Sequence, residues 1–123
     1  MRTFPIHDAS GRIRAFEVEN AYIGATRLAD VLAPVDGVSA VHVGPGRGDP
    51  SDVRVRFTFR GRTCVAFEPW GDNSRYWVGP EDPEAAPFDA GPLDAAVRAY
   101  RPPWPVRLLG DLVSLRIPFR SPA

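Results

Sequence analysis

Between residues 53 and 59 apolar and polar side chains alternate without a break, with Val53, Val55, Phe57 and Phe59 set against Arg54, Arg56 and Thr58. A period of two is what a strand needs when one face is buried and the other is wetter. The next apolar series, Thr63, Val65 and Phe67, predicts a second strand joined to the first around Gly61. A three-residue loop of Arg60, Gly61 and Arg62 keeps the large apolar side chains on one face. It pairs Phe57 with Val65, Val55 with Phe67 and Arg54 with Glu68. A two-residue loop would set phenylalanines opposite Arg62 and Cys64, so hydrophobic register predicts the longer loop. A four-residue turn, Gly71-Asp72-Asn73-Ser74, then leads into a third strand in which Phe67 faces Val78 and Glu68 faces Trp77.

Residues 2–7 and 12–19 predict a hairpin around the turn cluster Asp8-Ala9-Ser10-Gly11, with Pro5 implying an edge or the end of pairing there. At Tyr22 the spacing becomes helical: Ile23, Leu28, Val31 and Leu32 form a stripe that stops at Pro34 and Asp36-Gly37. Residues 38–43 read as a short strand. The loop over 44–51 holds three glycines, without the spacing and following helix of a phosphate-binding loop. Residues 79–91, rich in proline, acid and glycine, read as an excursion, and Leu93, Ala96, Val97 and Tyr100 mark a second helix before Pro102-Pro103. Residues 104–119 are strongly apolar, with Pro105 suited to a helix start, and are expected to pack against the sheet. The expected fold is α+β: one domain over residues 1–123, an antiparallel sheet of five to six strands (hairpin, helix, three-stranded meander) and two or three helices.

Composition bounds the function classes more than it selects one. With 123 residues, 44% apolar and 24% charged, the chain can bury its own core and lies outside the regime of disorder. One cysteine, Cys64, excludes an internal disulfide framework, and no apolar run has signal-peptide or membrane-spanning length. A cytoplasmic location is therefore expected. All fifteen basic residues are arginine and the net charge is zero, yet residues 63–97 hold seven carboxylates (Glu68, Asp72, Glu81, Asp82, Glu84, Asp89, Asp94) against Arg75. Local acidity of this kind steers basic partners and repels nucleic acid.

Candidate chemistry is sparse. His7 and His42 lack a second ligand at metal spacing, Cys64 has no base beside it, and Glu17 and Glu19 on one strand face read as solvated glutamates. No catalytic, metal or cofactor-binding residue is assigned, and an enzyme is not the favoured reading. The densest recognition chemistry lies at Glu68, Trp70, Asp72, Asn73, Arg75, Tyr76 and Trp77, adjoined by Arg54 and Arg56 on the neighbouring strand. Flat amphipathic rings beside charged groups suit a docking surface, because they bury much area with little rotamer entropy. The function expected is non-catalytic binding of another protein, in a regulatory or toxin-neutralising role of the immunity or antitoxin type found in bacteria, with a basic partner suiting the acidic stretch. The alternative is a small-molecule or nucleic-acid site on the arginine-bearing sheet face, with weak enzymatic activity. Zero net charge speaks against nucleic acid.

Overall fold

A computed structural model describes residues 1–45, 48, 52–68, 75–82 and 87–113. Its strands are β1 (Phe4–His7), β2 (Ile13–Glu19), β3 (Val38–Val43), β4 (Val53–Phe59), β5 (Arg62–Phe67) and β6 (Arg75–Pro80), and its helices α1 (Ala25–Leu32), α2 (Gly91–Ala99) and α3 (Trp104–Val113). The strands form one antiparallel sheet in the order β1-β2-β6-β5-β4-β3, so the α+β expectation holds. The hairpin β1-β2 joins the end of the meander through β2 and β6, with Phe16 opposite Val78 and Val18 opposite Tyr76.

Local chemistry explains the element ends. One carboxylate oxygen of Asp8 accepts hydrogen bonds from the Ser10 amide (2.9 Å), the Ser10 hydroxyl (2.6 Å) and the Arg12 amide (3.0 Å), which closes the first hairpin turn. Asp89 accepts from the Gly91 amide at 2.9 Å where α2 begins. Helices α1 and α2 cover one sheet face. Leu28, Leu32, Leu93 and Val97 pack there with Phe16, Val18, Val55, Phe57, Phe59, Tyr76 and Val78.

The β4–β5 register differs from the sequence expectation. Arg60 (φ 50°) and Gly61 (φ 81°) both adopt left-handed backbone and form a two-residue turn, so Phe59 lies opposite Arg62, Phe57 opposite Cys64 and Val55 opposite Ala66. The small side chains Cys64 and Ala66 therefore face the helices beneath the phenylalanines, while Val65 and Phe67 point to the other face. Phe67 accordingly pairs with Trp77 rather than Val78. The register rule failed because this sheet carries apolar side chains on both faces: Cys64, Val65 and Ala66 are buried in succession.

Both sheet edges are poor templates for further strands. β1 has four residues including Pro5, and β3 breaks register between Ser39 and His42, where Ala40 takes a left-handed φ of 54°. Helix α3 is a second correction over residues 104–113: Trp104, Leu108, Leu109, Leu112 and Val113 are exposed rather than packed against the sheet, and the rest of the expected apolar segment, 114–119, lies outside the described residues. No helix among the described residues is long and apolar enough to cross a membrane.

Candidate functional site

The sheet face opposite α1 and α2 is built from two parallel rows of side chains. In the first, strand pairing aligns Phe4 with Glu17, Glu17 with Trp77 and Trp77 with Phe67. The second runs through Ile6, Ala15, Gly79, Val65, Arg56 and His42. Ala15 and Gly79 leave a dip in the second row, and the Trp77 ring fills it. A Cβ placed on Gly79 would lie 2.7 Å from Trp77 Cη2 and 2.9 Å from the Ala15 Cβ. The Trp77 ring is half-buried by this arrangement and packs beside Phe67, with ring centroids 5.3 Å apart and planes tilted by 53°.

Charges frame the rings in pairs. The Arg75 guanidinium lies 3.7 Å from the Phe4 ring centroid and donates to Glu17 Oε1 at 3.0 Å. At the end of the sheet Arg54, the extra residue where β4 breaks register between Val53 and Val55, reaches Glu68 Oε1 with Nε at 2.5 Å, and both charges lie close to Tyr76 of the helix-covered face. Arg56, opposite Val65 on the Trp77 face, pairs with Glu81. Glu68 is only 7% exposed, and among the described residues its Oε2 has no hydrogen-bond partner. The hydrogen bond to Glu68 raises Arg54 above its ordinary pKa. Burial, and then the Glu68 charge, raises Tyr76.

The sequence-predicted residues separate into three groups. Arg56, Arg75 and Trp77 lie on this face, Arg75 stacked on Phe4, while Arg54 pairs with Glu68 beside Tyr76. Tyr76 is corrected: at 5% exposure it belongs to the core under the helices, opposite Val18. Glu68 is buried in an ion pair rather than displayed. Trp70, Asp72 and Asn73 lie outside the described residues. Sequence reasoning missed Phe4 and Gly79, and its reading of Glu17 as a solvated glutamate is corrected: the β1–β2 and β2–β6 pairings carry Phe4 and Glu17 to Arg75, where Glu17 is largely buried in an ion pair, while Gly79 follows Trp77 on its own strand. The apolar spacing of Phe4 and Ile6 was the available signal.

No protein-family model, curated protein or solved structure matches the chain. Among the described residues no group of three or more His, Cys, Asp or Glu side chains is placed to hold a metal ion. A cavity of about 200 Å³ is lined by Met1, Arg2, Glu19, Tyr22, Pro102, Arg107 and Asp111. It is smaller than the roughly 300–1,000 Å³ of typical small-molecule sites.

Cys64 is fully buried, and that burial pushes its thiol up to about 12, so it is not a nucleophile at neutral pH. The unfolded thiol ionises near its ordinary value of 9.0. Between these values only the folded chain holds the proton, so this contribution to stability is present below pH 9 and falls as pH rises. Urea denaturation at pH 8 and pH 10 is expected to show the parent chain losing about 1.4 kcal/mol more than Cys64→Ala over that interval. Equal losses would contradict it.

Proposed function

We propose that the chain is a non-catalytic protein-binding domain that docks its partner on the sheet face centred on Trp77. The observation that carries this reading is the Trp77 ring itself, packed against Gly79, only partly buried, and bordered by Phe67 on one side and by the Phe4, Arg75 and Glu17 cluster on the other. A pre-positioned aromatic ring inside a rim of charges is the usual anatomy of an interface anchor. What favours a protein partner over nucleic acid is that Arg54, Arg56 and Arg75 are each engaged by a carboxylate. Phosphate binding would have to break those pairs. The same pairs, with Arg98 to Asp94, neutralise Glu68, Glu81 and Asp94 of the acidic stretch, which supports a partner surface of apolar and mixed-charge character more than a strongly basic one. Within this reading a regulatory or toxin-neutralising role is the specific version, and a neighbouring toxin gene would support it where a metabolic operon would count against it.

Affinity capture with the full chain tests the proposal. Trp77→Ala is expected to weaken capture of a stoichiometric protein partner by about 10- to 100-fold while the domain remains folded. Retention of that partner at parental affinity, or salt-sensitive submicromolar binding to single-stranded or duplex nucleic acid, would overturn the reading.

A further inference from the structure

Helix α3 is fixed to the body by its polar and glycine side. A Cβ on Gly110 would lie 2.7 Å from two atoms of the Tyr22 ring and 3.2 Å from the Ala21 carbonyl oxygen, so only glycine permits this approach. The Tyr22 hydroxyl donates to Asp111 Oδ1 at 2.7 Å. Arg107 and Asp111, the helix's two charged residues, both line the small cavity on that side. Clamping this side inward turns the apolar side outward, with Trp104 67%, Leu108 56%, Leu109 59%, Leu112 46% and Val113 66% exposed. A surface helix ordinarily does the reverse.

We propose that this face of α3 is a homodimer interface, covered in solution by α3 of a second copy of the chain. Three observations select that occupant. Trp104, Leu108 and Leu112 form one row at spacing four, and Leu109 and Val113 form the next. The groove between such rows accepts the matching ridge of another helix. A two-fold contact must also be self-complementary, and a face without charge brings no like charges together. The five side chains offer on the order of 500 Å² of apolar surface per copy, at the upper end of the patches soluble monomers expose. Pairing two copies buries at most on the order of 1,000 Å², the lower bound for a specific interface and in keeping with a weak dimer. Self-association by sheet extension is opposed at both edges, by Pro5 on β1 and by the break at Ala40 on β3.

Sedimentation velocity of the full chain from ~1 to ~500 µM is expected to show a reversible monomer–dimer equilibrium with a micromolar Kd. Leu108→Glu and Leu109→Lys each place a charge on an exposed position, so the fold should persist by circular dichroism, and each is expected to raise Kd at least about tenfold. Trp77→Ala should leave Kd unchanged, which separates this interface from the proposed docking face. Three results overturn the inference. One is a chain that stays monomeric throughout, whether because residues beyond 113 cover α3 or because the face meets lipid. The others are dimers indifferent to both charged variants, and dimers lost in Trp77→Ala.

Discussion

Replacing Arg54 with alanine is expected to destabilise the domain by about 2–4 kcal/mol. Glu68 is taken out of water by the fold, its side chain 8% exposed, and its Oε1 is held by Arg54 Nε at 2.5 Å while Oε2 has no partner among the described residues. Deleting the arginine leaves a buried carboxylate without its counter-charge, which is costlier than never having buried a charge there. The expected figure sits below that for a wholly buried pair, because the Arg54 side chain is 35% exposed and water can partly take its place. Two comparisons isolate the cause. Arg56→Ala, whose partner Glu81 is 51% exposed, should cost under about 1 kcal/mol. Arg54→Met combined with Glu68→Leu should recover most of the loss, since no lone charge remains. Urea denaturation of the four chains measures all of this, and Arg54→Ala costing no more than Arg56→Ala would refute the account. The outcome bears on function too, because an arginine that holds a buried carboxylate is not available to a phosphate.

Gly79→Ala is expected to cost about 1–3 kcal/mol and to displace the Trp77 ring. The added methyl would meet Trp77 Cη2 at 2.7 Å and Ala15 Cβ at 2.9 Å. Ala15 cannot retreat, because its strand is held by the Phe16–Val78 and Glu17–Trp77 pairings, so the ring must swing off the sheet. A strand glycine ordinarily tolerates alanine well, and the usual propensity change favours alanine. The sign of the effect therefore tests the ring's position. In a Trp77→Ala background the same substitution should cost less than about 0.5 kcal/mol, a non-additivity that appears only if the two residues touch. Equal costs in both backgrounds would place the ring elsewhere and remove the anchor of the proposed docking face.

The part of the fold written in local pattern was legible. The alternation of Val53 to Phe59, the turn chemistry of Asp8 and Ser10, and the stripe of Leu28 and Leu32 each specify an element through interactions within a few residues. The candidate site was legible only in part. Trp77, Arg75, Arg54 and Arg56 were found because aromatic and arginine side chains are conspicuous in any sequence. Tyr76 was misassigned because a tyrosine one residue from a surface tryptophan has its own chemistry but the opposite strand parity, and so points into the core.

The sequence by itself determined the kind and order of the elements, and their number to within one strand and one helix, since hydrophobic period, capping and turn residues act locally. Tertiary structure alone decided three things. It decided the β4–β5 register, because with apolar side chains on both faces the burial of Phe57 over Cys64 and the packing of Phe67 beside Trp77 outweigh the simple sorting of large residues to one side. It decided that β2 lies beside β6, which brings Phe4 and Glu17, some sixty to seventy residues distant in sequence, against Arg75. It also decided which way α3 faces, because the approach of Gly110 to Tyr22 depends on steric fit between distant segments and turns an apolar stripe that reads as core out to the surface.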